Sequence, residues 1–479
     1  MVPPRDPSKW AEWQQQMFGD QQSGIRRMPA AAQGVGTRAI IPRILVIMTN
    51  FANYELVSTK ADVDSMFNGQ NWTKDGATGS VRQYFFDQSN GTYNPQFDIV
   101  GPVTLAYDYA YYGYNVGGNN TAGAGLMVTE ACDSVNRTFP EVNFADYDLD
   151  NDGKVDMVYL LFAGFGENDP PEQDIISDPN NLPWPHYWNI NSANYGSNRN
   201  VFDGKIIYAY EISNELDGWY STKTKHVIAG IGIVCHEFGH GLGLPDLYEY
   251  SHNHKTLGSW DIMDYGPYSN DMHTPPSYSA YERFFMGWLE PTFITEADDL
   301  QLDDIAASNE AFLISESDEF DFSKRNTSKY YLLENRQQKG WDTYVPGHGL
   351  LLTKIDNPAD AWSDINADYN NYRIDIIEAD GLTPQYISRD DNGFLGKPGD
   401  LFPAGATEYL GIVDHAITDI TENADGTVSF KYRGGKPSDP TAVELPATET
   451  PQAYKTIENG RLIIHNNGNK YSIHGILID

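Results

Sequence analysis

Two histidines four positions apart, with a glutamate directly after the first, are the residues of this chain best suited to chemistry. They belong to the run His236-Glu237-Phe238-Gly239-His240-Gly241-Leu242-Gly243-Leu244-Pro245-Asp246, which reads H-E-x-x-H-x-x-G-x-x-D. On a helix, positions i and i+4 project from one face, so both imidazoles reach a single zinc ion at about 2.0–2.1 Å. Glu237 sits beside the pair, placed to take a proton from a water at the metal without ligating it. Gly243, free to adopt positive φ, ends the helix and turns the chain so that Asp246 returns to the same metal. Two neutral nitrogens, one carboxylate and an open position describe a catalytic zinc site rather than a closed structural one. A bare H-E-x-x-H also occurs on amphipathic helices whose histidines merely hydrogen-bond within a core. The glycine and aspartate that follow remove most of that freedom.

Downstream lies Gly258-Ser259-Trp260-Asp261-Ile262-Met263-Asp264-Tyr265-Gly266, a glycine-bounded turn around one methionine. A lone methionine in a turn is usually packing, but this one resembles the Met-turn that floors the zinc site of metzincin peptidases. With these residues the chain resembles the immune inhibitor A family of secreted bacterial metallopeptidases, which carry Asp where most metzincins have a third His. Pro42-Arg43-Ile44-Leu45-Val46-Ile47 resembles the family's first strand, and Thr78-Gly79-Ser80-Val81-Arg82-Gln83-Tyr84-Phe85 its early helix. Tyr331-Leu332-Leu333-Glu334-Asn335-Arg336-Gln337, Pro346-Gly347-His348-Gly349-Leu350-Leu351 and Gly399-Asp400-Leu401-Phe402-Pro403 resemble its β-rich second part. The resemblance runs over residues 42 to 433 and is most specific at the zinc motif. It implies a zinc metalloendopeptidase acting on polypeptides, with zinc on His236, His240 and Asp246 and Glu237 as general base. Tyr265, two residues after Met263, matches the place where some metzincins have a tyrosine near the zinc. There it stabilises the oxyanion, or else it is a hydroxyl in an ordinary turn.

The elements that must position these residues follow from apolar patterning. Residues 43–48 and 157–164 are continuous apolar runs and read as buried strands. Residues 205–210 read as a third strand, at a sheet edge where an extended peptide substrate can pair. A helix over 223–241 carries the zinc motif, and one over 277–288 closes the catalytic part. From 291 to 432 the pattern becomes short strands and turns, which suggests a sandwich-like domain. The expected fold is α+β: a metzincin-like peptidase domain (42–290) with a mixed twisted sheet, active-site helix and Met-turn, then a β-rich domain (291–435). A Pro/Thr/Ser-rich linker (436–452) leads to a C-terminal tail (453–479), in which two apolar stretches flank Asn466-Asn467-Gly468, a hairpin signal.

A second metal candidate precedes the strand at Met157. In Asp146-Tyr147-Asp148-Leu149-Asp150-Asn151-Asp152-Gly153-Lys154-Val155-Asp156, Asp148, Asp150 and Asp152 take positions 1, 3 and 5 of an EF-hand-like loop. Gly153 takes the sharp-turn position and Asp156 position 9. Tyr159 stands where the bidentate Glu belongs, so the expectation is a structural calcium loop of another geometry, drawing on Asp146, Asp148, Asp150, Asp152 and Asp156. The alternative is a solvated acidic turn.

The chain has 479 residues, 40% of them hydrophobic, and a formal net charge of −35. That charge argues against nucleic-acid binding, which needs a basic footprint, and against electrostatic docking on an anionic membrane. No apolar run has the length of a membrane span. The start lacks the apolar stretch of a signal peptide, and a monomeric protein, secreted or at the cell surface with its signal removed, is expected, because an endoprotease is hazardous in the cytosol. Residues 1–41 read either as the end of an activation segment cut at Arg27 or Arg38, or as a leader without structure. They contain no cysteine to offer the zinc as a thiolate. The two cysteines, Cys132 and Cys235, form one disulfide or stay as two buried thiols.

Two rival readings keep their place. In a gluzincin-like site, Glu282 on the 277–288 helix would be the third ligand, although Gly243 and Asp246 already complete the site locally. In a catalytically inactive surface binding protein, the β-rich domain would do the work; an intact Glu237 speaks against it. His348 between two glycines reads as part of a tight turn.

Overall fold

The computed structural model describes residues 3–6, 42–114, 123–172, 175–190, 200–249, 256–356, 365–366, 371–382, 395–436, 453–458, 461–466, 469–472 and 477–478. Most of the leader and of the proposed linker therefore lies outside the described residues. The chain divides into two compact units, Met1–Gly435 and Lys436–Asp479.

The first unit is a mixed α and β structure built around a five-stranded sheet. Its strands run in the order Gln96–Thr104, Arg43–Asn50, Val158–Phe162, Ala209–Asn214, His186–Asn189. The first four are parallel and the last is antiparallel. The run from Ile44 to Met48 is buried throughout because a parallel sheet is covered on both faces. Alternation then divides its side chains. Ile44, Val46 and Met48 join Tyr159 and Leu161 in a core with the helices Lys60–Asn68, Val81–Gln88 and Gly232–Gly241. Leu45 and Ile47 join Val158, Leu160 and Phe162 in a second core under the helix Ala124–Thr138, whose Met127, Val128, Ala131, Cys132 and Val135 face the sheet. Each large apolar side chain so buried contributes about 1.5–3 kcal/mol before entropy is counted.

Two expectations about the elements need correction. Residues 205–210 are not one edge strand. Lys205–Ile207 pairs with Lys154–Val155 and Val201–Phe202 in a small separate sheet, while Ala209–Asn214 enters the main sheet as an interior strand, buried along its length. The edge beside Ala209–Asn214 is His186–Asn189, which runs antiparallel to it with Tyr187 opposite Glu211. The zinc-motif helix is also shorter than expected, spanning Gly232–Gly241; residues 216–228 instead form turns and an isolated bridge between Leu216 and Ile228. The later helix is Ala280–Met286, capped by Ser279 and Glu282.

Beyond residue 290 come a five-stranded sheet (Ile374–Ile376, Gly349–Asp356, Lys329–Arg336, Phe312–Ile314, Thr292–Phe293) and a three-stranded one (Asp298–Leu302, Val428–Tyr432, Ile417–Glu422). Leu333, Leu350 and Leu352 of the first share a buried cluster with Leu302, Ile420 and Phe430 of the second. The same five-stranded sheet reaches back toward the zinc-motif region through buried charges. Arg336 pairs with Glu334 and Asp342, and these carboxylates accept the backbone N–H of Ala280 and Ser277. Cys132 and Cys235 are both free and buried, the second of the two alternatives.

The second unit is larger than a hairpin. Ala453–Glu458, Arg461–Asn466, Asn469–Ser472 and Leu477–Ile478 form a four-stranded antiparallel meander. No helix among the described residues is long and apolar enough to cross a membrane.

Candidate metal centre and active site

The helix Gly232–Gly241 presents His236 and His240 from one face, with ring centroids 4.8 Å apart. It ends at Leu242, and Gly243 follows at φ 99°, a left-handed conformation that favours glycine. That reversal brings Asp246 back: its Oδ1 lies 3.3 Å from His236 Nε2 and 3.1 Å from His240 Nε2. The three ligand atoms all fall within 4.8 Å of one another.

Backbone carbonyls orient both rings. His236 Nδ1 is 2.7 Å from the Ile262 carbonyl oxygen and His240 Nδ1 is 2.8 Å from that of Leu244. With the proton on Nδ1, each Nε2 is left as a lone pair facing Asp246, which is how second partners set a metal-ligating tautomer. His236 Nε2 is buried and has no hydrogen-bond partner. Burial also drives the His236 pKa down against the pull of the Asp246 carboxylate, which favours the neutral ring that a cation requires. An orphaned nitrogen, a second imidazole and a carboxylate converging on one point form a donor set that suits zinc.

The glycine-bounded turn of residues 258–266 packs against the histidine-bearing helix. Met263 is fully buried, donates its N–H to Asp261 Oδ1 (2.7 Å) and accepts from Leu247 N (2.9 Å). Its sulfur lies so close to Gly239, between the two histidines, that a Cβ there would meet Sδ at 2.8 Å. Asp264 accepts from Thr256 Oγ1, Leu257 N and Gly258 N, closing the loop from below. Tyr265 is buried, and its hydroxyl donates to the carbonyl of Arg5.

Glu237 is fully buried, with Oε2 3.9 Å from His240 Nε2. The same oxygen accepts the Tyr187 N–H of the edge strand at 2.6 Å, a bond that ties the helix to the sheet edge. Sequence reasoning missed Tyr187, whose contribution is a main-chain group with no residue-type signal. It also missed Glu211, opposite Tyr187, whose carboxyl is completely buried and has neither oxygen bonded. Burial, aided by the Glu237 charge, pushes its pKa well up and favours the neutral acid.

Glu282 is not brought to the histidines. Its carboxylate caps its own helix, accepting from Ser279 N at 2.7 Å and from the Ser279 hydroxyl. His348 lies in an exposed turn with Nδ1 2.8 Å from both Glu422 oxygens.

Of the five aspartates expected to hold calcium, the structure gathers three. Asp148, Asp150 and Asp156 each place an oxygen within 4.8 Å of the others. Asp146 turns to Arg43 and Asp152 to Lys154, the latter through both side chain and backbone. Asp148 Oδ1 is buried and unbonded, while Oδ2 accepts from Lys205 Nζ at 2.5 Å and Gly153 N at 3.1 Å. Burial, with the Asp150, Asp148 and Asp152 carboxylates adding to it, pushes Asp156 up to about 6.

Residues 53–288 match the family model described as the immune inhibitor A peptidase M6 catalytic domain. The chain is 28% identical over 243 residues to the pre-pro-metalloprotease PrtV of Vibrio cholerae, covering 46% of this chain and 24% of that protein. It is 23% identical over 284 residues to immune inhibitor A of Bacillus thuringiensis subsp. alesti, covering 51% of this chain and 39% of that protein. The chain thus spans less than half the length of either relative.

Proposed function

We propose that this chain, whose residues 53–288 match the immune inhibitor A peptidase M6 catalytic-domain model, is a zinc-dependent endopeptidase acting on polypeptides. The observation that supports it most is the convergence of His236 Nε2, His240 Nε2 and Asp246 Oδ1 beside the Glu237 carboxylate. These three residues would hold the ion. When bound, zinc supplies Lewis acidity and lowers the pKa of water to about 7. Glu237 takes the proton of the attacking water and returns it to the departing amine, because it stands next to the ligand set while its Tyr187 hydrogen bond keeps it from joining that set. Tyr265 stabilises the oxyanion once its hydroxyl is released from the Arg5 carbonyl. The edge strand His186–Asn189 takes the substrate backbone as an added strand. Purified protein with one equivalent of zinc should hydrolyse casein; a zinc-loaded protein inert toward casein and unstructured peptides would remove this reading.

The triad Asp148, Asp150 and Asp156 holds calcium in this reading and fixes the turn before the central strand Val158–Phe162. The unbonded Asp148 Oδ1 supports it, since a buried anionic oxygen costs free energy unless a partner compensates. Lys205 supplies part of that compensation, which favours a modest rather than an obligatory role. Dialysis into calcium-free buffer should lower Tm by a few degrees: an ion at about a hundredfold excess over its Kd stabilises by about 2.7 kcal/mol. Asp150→Asn should remove that calcium dependence. A Tm indifferent to calcium, with zinc still bound, would leave the solvated acidic turn.

The meander at the C-terminus is dispensable for hydrolysis, because it carries none of the zinc-site residues and forms its own compact unit. It resembles short C-terminal tails of some secreted and surface proteins of Gram-negative bacteria, and we assign it an export or attachment role. A chain ending at Gly435 should keep full activity and Tm while losing its normal location in the native host. Loss of folding or activity would contradict this.

A further inference from the structure

Four residues near the start of the chain, Pro3 to Asp6, are held in a way that points to substrate preference. Arg5 is 3% exposed despite its charge. Its Nη1 lies 2.8 Å from Asp217 Oδ2 and 3.2 Å from Asp169 Oδ2, and its Nη2 lies 2.9 Å from Asp271 Oδ1. The guanidinium carbon sits 4.5 Å from the Trp219 ring centre and 5.4 Å from that of Tyr220, within cation–π range. The backbone of the segment is bound as a peptide ligand would be. Arg5 N donates to the Asn168 carbonyl, while the Tyr265 and Tyr268 hydroxyls donate to the Arg5 and Pro3 carbonyls.

The pocket keeps its shape through bonds that do not involve Arg5. Asp169 Oδ2 accepts from Gly218 N, Asp217 Oδ1 accepts from Tyr220 N, and Asn168 Nδ2 donates to the Tyr268 hydroxyl. Asp169 and Asp217 are both fully buried, and Asp169 Oδ1 has no hydrogen-bond partner. Two carboxylates buried side by side are expensive without a cation between them. Burial accordingly pushes the Asp169 pKa up, and the Arg5 charge pulls against it.

The pocket shares a wall with the zinc centre. Tyr265 follows Met263 by two residues, and Tyr265 and Tyr268 pack in one buried cluster with Ile233 of the zinc-motif helix and Trp184, just before the edge strand. We propose that Asp169, Asp217 and Asp271, with Trp219 as the stacking face, form a subsite that selects arginine or lysine in the polypeptide substrate, and that Arg5 occupies it as a substrate-like segment of the same chain. This rests on the peptidase reading above.

The test profiles cleavage of a mixed peptide library by the zinc-loaded full chain, read by mass spectrometry. Cleaved peptides should carry Arg or Lys at one fixed position relative to the scissile bond. Asp217→Asn should reduce selectivity for Arg over Ala at that position about 100-fold, through KM more than kcat. Trp219→Ala, at a partly exposed site, should reduce it less and guards against a folding defect in the first variant. Cleavage with no basic preference, or a preference that survives both substitutions, would overturn the subsite while leaving the peptidase reading intact. Failure to cleave any peptide would instead sink the peptidase reading, and a binding measurement then decides the pocket by itself. Fluorescein-labelled Met-Val-Pro-Pro-Arg-Asp should bind the Arg5→Ala, Glu237→Ala protein, and binding should be lost on adding Asp217→Asn. No binding, or equal binding with Ala in place of Arg in the peptide, would overturn the proposal.

Discussion

Replacing Glu237 with Ala should leave zinc bound and lower kcat/KM on peptides by about 100- to 10,000-fold, the range of a general base. The separation of the two effects follows from the geometry. The metal would be held by His236, His240 and Asp246, whose three ligand atoms cluster without Glu237. The Glu237 carboxylate instead accepts the Tyr187 N–H. Cutting the side chain removes the proton acceptor and leaves the ligand set whole. Fold integrity of the variant is read separately from its Tm. Zinc content by atomic absorption, with turnover of a quenched fluorescent peptide, reads both halves. Full activity in Glu237→Ala would contradict the base assignment; loss of zinc together with activity would make Glu237 a ligand.

The second large effect is expected at Asp246. Asp246→Ala should weaken zinc binding by more than the 10- to 100-fold that changes in outer partners typically cost, whereas Glu282→Ala should leave zinc affinity unchanged. Asp246 Oδ1 stands 3.1 and 3.3 Å from the two Nε2 atoms, while Glu282 caps its own helix through Ser279. Glu282→Ala should instead lower folding stability by about 0.5–2 kcal/mol, the usual worth of a helix cap, and so lower Tm. Competition with a chromophoric zinc chelator measures the first quantity and thermal unfolding the second. Zinc lost from Glu282→Ala and kept by Asp246→Ala would transfer the third ligand to the gluzincin-like arrangement.

The convergence of His236, His240 and Asp246 is legible in the sequence because its information is local. Helical spacing places His236 and His240, and Gly243 needs only its own φ to return Asp246. The strand at residues 43–48 was legible for the same reason, as a parallel strand covered on both faces must be continuously apolar. What stayed hidden depends on distant chain. The apolar pattern predicts a motif helix nine residues longer toward its N-terminus than the structure has, since Val227, Ile228 and Ile231 look helical in isolation. Their apolar character instead serves packing at a crowded entry: a Cβ at Gly232 would meet the Pro267 carbonyl oxygen at 1.9 Å. The sheet edge escapes the apolar pattern because His186–Asn189 follows a Pro-rich stretch and pairs with the distant strand Ala209–Asn214. Split pairing of Lys205–Ile207 and Ala209–Asn214 between two sheets leaves no mark on a single apolar run. Five aspartates in a row suggested five ligands, yet Arg43 and Lys154 draw away two of them. The Arg5 pocket could not be read at all, since Asp169, Asp217 and Asp271 meet only through three loops.

Anomalous diffraction at the zinc edge, on crystals of the zinc-loaded full chain, tests the centre most directly. One strong peak should lie within about 2.0–2.2 Å of His236 Nε2, His240 Nε2 and an Asp246 carboxylate oxygen, with the Glu237 carboxylate beside it and uncoordinated. A peak away from these atoms, or one bound by Glu282 or Glu237 in place of Asp246, would contradict the account.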